Sequence, residues 1–231
     1  NPFIKPQYTW NFALAHTYKQ MLTTEVSYSY LRDYFSQIFI IDSSSSNVNK
    51  NVIIYTRGNV GSFQSIGITE TFQSAIQPWW NLTAVAVYNY KIIKGVVWAP
   101  FEARIGQLNV SLNNQFQLKK GWGFELSGYY QTKGQIDLQE WLKPQGELNA
   151  GVSKQIMKKK GTLKLSIRDL TWFQNYSGYS TFQNAHEPFR IKWDSRVVRL
   201  SFSWRFGKAM KPVNRSEGGA TDEINRAGNG N

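Results

Sequence analysis

Hydrophobic and polar residues take turns along most of the chain. Near the C-terminus Val198, Leu200, Phe202, Trp204 and Phe206 interleave with Val197, Arg199, Ser201, Ser203 and Arg205. A period of two places the two sets on opposite faces of a β-strand, one apolar and one mostly polar. The pattern recurs where Leu108, Val110, Leu112, Phe116 and Leu118 alternate with Gln107, Asn109, Ser111, Asn113, Gln115 and Gln117. It recurs again where Leu163, Leu165 and Ile167 alternate with Thr162, Lys164, Ser166 and Arg168, and at the start, where Tyr8, Trp10, Phe12 and Leu14 alternate with Thr9, Asn11, Ala13 and Ala15. About nine such runs centre near Phe12, Tyr30, Ile68, Val87, Leu112, Leu126, Val152, Ile167 and Phe202, and helical periodicity is nowhere sustained.

The connections between runs are of two kinds, and they are expected to alternate strictly. Short ones include "KQM", "QPWW", "KKGW" and "MKKKG"; long ones include "DSSSSNVNKN" and "NYSGYSTFQNAHEPFR". Short turns at one end and long loops at the other describe an antiparallel transmembrane β-barrel with up-and-down strands. The runs Leu22 to Ile41 and Phe63 to Gln77 exceed the usual soluble strand length and are expected to project beyond a bilayer. A soluble β-sandwich or lipocalin-like ligand-binding barrel also alternates. Its polar face, however, would not need the large Gln, Asn, Lys and Arg residues that suit a wet lumen.

Composition adjusts this picture modestly. Aromatics make up 15% of the 231 residues and charged residues 18%, with a mean hydropathy of −0.44. No stretch approaches the roughly 18 consecutive apolar residues of a spanning helix, whereas a spanning strand needs only about 10 alternating ones. There is no cysteine, so disulfides, thiolate zinc sites and cysteine nucleophiles drop out. The charge of +12, from 27 Lys+Arg against 15 Asp+Glu, allows nucleic acid, anionic ligands or an anionic membrane surface. Nucleic acid is disfavoured, because Arg199 and Arg205 lie on the face opposite Phe202, Trp204 and Phe206, so rings and cations cannot line one groove.

With short turns periplasmic, the first strand descends from outside and the ninth descends into the tail. A whole bacterial barrel has an even strand number with both ends in the periplasm, so residues 1–206 are expected to be the C-terminal portion of a larger barrel. Residues 207–231, rich in Gly, Asn and mixed charge, are expected to be a polar, disordered periplasmic tail.

Four segments spread over nearly the whole chain, "NPFIKPQYTWNF", "QPWWNL", "GWGFELSGYYQTKGQI" and "RVVRLSFSWRFGK", resemble the outer-membrane β-barrel family of Bacteroidetes, and within it the C-terminal barrel of TonB-dependent receptors. The resemblance implies a bacterial outer-membrane location and, for the full-length form, uptake of a bulky nutrient. Such proteins carry a plug and roughly the first half of a 22-strand barrel ahead of this segment. Contact with a TonB-type energy-coupling protein would run through those upstream regions. The closing Phe202, Trp204 and Phe206 resemble the signal read by barrel-assembly machinery. A surface-exposed binding or adhesion barrel without transport is the alternative from a different class.

Catalytic chemistry is expected to be absent. His16 and His186 stand in no metal-binding spacing, no G-x-S-x-G, H-E-x-x-H or P-loop pattern occurs, and no cofactor is implied. Glu25, Glu102, Glu125 and Glu147 are scattered singly. Glu70 is uncomfortable, since it shares parity with Ile66, Ile68 and Phe72 and so points to lipid. The candidate residues are structural. Tyr8, Trp10, Trp79, Trp80, Trp122, Trp204 and Phe206 are expected at the membrane interfaces. Lys164, Arg168, Arg199 and Arg205 are expected to face the lumen, where they would bias a pore towards anionic solutes. Substrate contacts are expected from loops 42–51 and 174–192, with their residues open. Val85 and Val87 break the pattern by making the polar face apolar beside "PWW".

Overall fold

A computed structural model of the chain describes residues 4–42, 52–97, 99–183 and 185–206. Nine antiparallel strands form one sheet. They are β1 Tyr8–Tyr18, β2 Leu22–Asp42, β3 Val52–Gln77, β4 Trp80–Val96, β5 Pro100–Leu118, β6 Trp122–Gln131, β9 Gln145–Ile156, β10 Gly161–Arg168 and β13 Val197–Trp204. Their order across the sheet is β1-β2-β3-β4-β5-β6-β9-β10-β13. Each of the nine centres read from the sequence falls on one of them. Neighbours in space are neighbours in order, save for two excursions that build a second sheet.

That second sheet has four strands, β7 Gly134–Asp137, β8 Glu140–Leu142, β11 Tyr176–Phe182 and β12 Ala185–Ile191, in the order β12-β11-β8-β7. It corrects the expectation of a loop at 174–192, which is mostly two paired strands. Loop 42–51, apart from Asp42 closing β2, and the tail 207–231 lie outside the described residues. Strict alternation of short and long connections also fails, because β4 and β5 are joined through 97–99 alone. There the strands themselves lengthen instead of the loop.

The short connections are tight hairpins. Lys19 and Gln20 have φ of 47° and 54°, and Lys120 and Gly121 have 59° and 76°, the positive pair that matches the right-handed twist of the flanking strands. Trp80 faces Phe116, with β5 ending two residues later at Leu118, and Trp122 faces Lys154, with β9 ending two residues later at Ile156. With the turns at one level, a drift of about two residues per two strands, at ~3.3 Å per residue and ~4.8 Å between strands, tilts the strands by about 35°.

Register makes the two faces continuous. Trp80, Phe116, Phe124, Val152, Leu165 and Leu200 form one row across six strands. On β4 the apolar face runs from Trp80 through Leu82, Ala84, Ala86 and Tyr88 to Tyr90, about 27 Å along the normal to the rows of turns at that tilt. Above Tyr90 the faces exchange character. The formerly apolar face carries Lys94, Glu102 and Arg104, with Glu102 3.3 Å from Lys94 and 2.5 Å from Arg104. The formerly polar face carries Ile93 and Ile105, 3% and 9% exposed, and Val60, Ile93 and Leu138 pack together with Phe63, Phe101 and Ala103 around them.

Leu138 belongs to the β7–β8 hairpin, so the second sheet folds over the polar-face side of the projecting strands. Gln139 fastens it, accepting from the Phe39 backbone N–H at 2.6 Å and donating to the Phe39 carbonyl at 3.2 Å. Phe182, 2% exposed, stacks on Phe39 at 5.3 Å, and the Ser36 hydroxyl donates to Asp137 at 3.1 Å. The changeover is marked in the backbone: Gly61 has φ 144°, and a Cβ there would meet the Lys94 carbonyl oxygen at 2.1 Å. Only glycine permits that approach.

Candidate functional site

The polar face of β6, β9, β10 and β13 bears a charged cleft of about 420 Å³ lined by Glu125, Ser127, Glu147, Asn149, Ser166, Arg168 and Arg199. Its residues share a face because Glu125 stands opposite Gly151, Gly151 opposite Ser166, and Ser166 opposite Arg199. The Lys164 ammonium donates to Glu125 at 2.5 Å, reaching across β9 to β6. Gly151 lies beneath this bridge, where a Cβ would stand in ordinary contact, 3.6 Å from Lys164 Cε and 3.7 Å from the Glu125 carboxylate. A long residue at 151 would lie between the two charges.

Arg168 grips Glu147 with both ends of its guanidinium, Nε to Oε1 at 3.0 Å and Nη2 to Oε2 at 3.0 Å. Two parallel charge-assisted bonds fix direction as well as distance, and the same Nη2 donates to Gln174 at 3.5 Å. Arg199 has no ion-pair partner among the described residues. Three cations against two carboxylates leave the cleft with one cation uncompensated, able to hold a solute's carboxylate or phosphate.

The four basic positions expected on the polar face are therefore not equivalent. Lys164 and Arg168 are committed to Glu125 and Glu147, Arg199 is open, and Arg205 stands beyond β13, where its backbone N–H donates to the Lys160 carbonyl at 2.8 Å. Glu125 and Glu147 were legible as single acidic residues, but their pairing was not, since it depends on the register of β6, β9 and β10. A glycine set between two polar-face positions was the available signal. A larger concavity, about 740 Å³, opens on the same face at the turn end, among Gln115, Gln117, Lys120, Gln155, Lys158, Lys159 and Thr162.

The aromatic candidates divide between the two ends. Trp79, Trp80, Trp122, Trp204 and Phe206 gather at the turn end, whereas Tyr8 and Trp10 sit at the far end of β1. Trp79, Trp80 and Phe116 stack in a triangle with centroids 6.3, 6.2 and 5.9 Å apart. The Trp80 indole N–H donates to Asn114 at 3.0 Å, which gives a reason for a polar residue in the apolar stripe. Lys154 lies 4.6 Å from the Trp122 ring centroid while donating to the Lys120 carbonyl at 2.8 Å, its stem along apolar surface and its charge at the rim. Trp204 and Phe206 meet at 4.2 Å. Val85 and Val87 do face the polar side, set between Thr71 and Ser111 and between Thr69 and Asn109.

The second sheet offers another surface. Trp141 and Tyr179 stack at 6.4 Å, with the Lys133 ammonium 4.9 Å and 5.2 Å from their centroids, and His186 lies 4.9 Å from Tyr179. Beside it Glu140, partly desolvated and near Asp137, has its carboxyl pushed above the ordinary range. Among the described residues no group of three or more His, Cys, Asp or Glu is arranged to hold a metal ion.

Comparison with known proteins bears on the sheet as a whole. No curated protein matches the chain. Among solved structures, the outer membrane transporter YddB from Escherichia coli aligns with a TM-score of 0.49 and 14% identity, covering 88% of this chain and 33% of its own. The chain thus spans about a third of that protein's length. The model of the outer membrane protein beta-barrel family matches residues 1–204, and the chain belongs to that family.

Proposed function

We propose that this chain is part of the wall of an outer-membrane barrel that takes up a bulky solute, of the TonB-dependent-receptor type resembled by its Bacteroidetes-like motifs. The observation that carries the reading is the exchange of face polarity along β4 and β5. An apolar stripe about 27 Å tall matches the roughly 25 Å lipid band of a barrel. Above it, charge returns to the outside and apolar residues turn inward beneath a folded roof. A binding-only barrel needs the stripe but not a roof over its interior or a charged cleft below.

In this reading Trp79, Trp80, Trp122, Trp204 and Phe206 float the turn end at the periplasmic surface, and Tyr8 and Trp10 mark the other interface. Phe202, Trp204 and Phe206 are presented to barrel-assembly machinery, and a TonB-type protein acts through regions beyond residues 1–231. The protein performs no covalent chemistry. Arg199 attracts anionic groups of the solute, while the Glu125–Lys164 and Glu147–Arg168 pairs hold the wall rigid. Uptake by intact cells with and without a proton uncoupler tests this. Accumulation of an anionic solute that stops with the uncoupler, and weakens in Arg199→Gln, is expected; accumulation indifferent to both overturns energised, charge-selected uptake.

A further inference from the structure

Glu70 is the carboxylate that face polarity does not explain. It sits on β3 opposite Thr24 on one side and Ala86 on the other, six residues above Trp80 on the β4 ladder and so inside the apolar stripe. Thr24 in turn faces His16 of β1. His16, Thr24 and Glu70 therefore form one polar row on three adjacent strands, with Leu14, Val26 and Ile68 in the row above and Tyr18, Leu22 and Phe72 in the row below.

The Thr24 hydroxyl lies 2.9 and 2.8 Å from the two Glu70 carboxylate oxygens. One proton shared between two acceptors leaves most of the carboxylate's capacity unmet, and hydrocarbon supplies no donor. An ionisable group facing apolar surroundings persists where something pairs with it.

We propose that this row is the contact by which two copies of the protein pair within the membrane, the His16 ring N–H of each copy donating to Glu70 of the other. The inference rests on the outer-membrane reading. A second copy is favoured because the row contains its own complement. His16 and Glu70 flank Thr24 by one strand on either side, so a twofold axis along the membrane normal through Thr24 sets each His16 opposite a Glu70, the isologous arrangement of a symmetric dimer. Strand tilt offsets the two by about 5 Å along the normal, within reach of the two side chains. Leu14, Val26 and Ile68, on the same face as the row, supply apolar area around the pair.

Residues 1–231 contain no cysteine, and the unsubstituted protein carried through the same treatment is the control for thiols elsewhere. Val26→Cys and Leu200→Cys, both on the apolar face, are compared in native outer membranes with a short thiol-to-thiol crosslinker, folding being verified by heat-shifted migration in gels. Val26→Cys is expected to give a covalent homodimer and Leu200→Cys to remain monomeric. Adding Glu70→Gln or His16→Phe to Val26→Cys is expected to cut the dimer about fivefold. A Val26→Cys protein whose thiol is lipid-protected yet stays monomeric, a dimer indifferent to both changes, or an adduct to a different protein overturns the pairing. Reaction of the Val26→Cys thiol with membrane-impermeant maleimide overturns the outer-face reading beneath it.

Discussion

The lower and upper halves of β4 and β5 share one unbroken register and one period of two, yet their faces carry opposite chemistry. Below Tyr90 the outward positions on β4 are Trp80, Leu82, Ala84, Ala86 and Tyr88, and the inward face is mostly polar, with Asn81, Thr83, Asn109, Ser111, Asn113 and Gln115 around Val85 and Val87. Above it the outward positions are Ile92, Lys94, Glu102 and Arg104, and the inward ones are Lys91, Ile93, Phe101, Ala103 and Ile105. The backbone does not distinguish these halves. In the proposed reading what changes is the medium on each side: hydrocarbon outside and water inside below, water outside and a packed loop sheet inside above. A strand is amphipathic towards whatever surrounds it, and one strand can meet two surroundings.

The largest expected effect lies at the roof. Phe182→Ala removes a fully buried ring stacked on Phe39 and should cost about 3–5 kcal/mol of docking. Limited proteolysis within 134–142 and 174–191 checks this, and the barrel strands should stay protected. Next is Leu112→Arg in the lower half, expected to cost about 2–4 kcal/mol in bilayer unfolding, against almost nothing for the same change at Ile92 in the upper half. Equal costs at the two positions would erase the comparison. Gln139→Leu strips two hydrogen bonds from the Phe39 backbone, and about 1–3 kcal/mol of roof stability should go with them, read by amide exchange at Phe39.

The smallest effects are those of pH. Arg104, and then Lys94, hold the Glu102 carboxyl below its ordinary value. Its contribution is present above the unfolded carboxylate range and is lost as pH falls through the lowered folded value. Glu140 behaves oppositely, because burial first and Asp137 second raise it. Its contribution is full below the unfolded range and is lost as pH rises through the raised folded value. Mild acid should therefore tighten the roof while loosening the outer ion pairs. Glu140→Gln should flatten the first trend, measured as protease protection across a pH series.

The sequence period revealed the large sheet well, because strands of eight or more residues in a wall with one apolar side repeat the same alternation many times. The second sheet was hidden for physical reasons. Its strands run from three to seven residues, too few to establish a period. Pro188 sits in β12, which argues against a strand unless that strand is at an edge, as β12 is. The exchange of faces was visible only as an irregularity: Ile92 and Ile93 stand side by side, and Lys94, Glu102 and Arg104 fall on the apolar parity. Lys164, Arg168, Arg199 and Arg205 were legible as polar-face cations. Which of them are tied to a carboxylate was not, since Glu125 reaches the set across β9 and Glu147 from β9 itself, and both depend on register. For the adjacent tryptophans, Trp80 holds the rim by its bond to Asn114, and Trp79 stacks beside it from the turn.

Spin labels on single cysteines at 88, 89, 93 and 94 of β4 test the exchange most directly, in bilayers with a lipid-soluble and a water-soluble relaxation agent. The account predicts lipid exposure at 88, water exposure at 89 and 94, and protection from both agents at 93. Matching lipid exposure at 88 and 94, or free water access at 93, would contradict it.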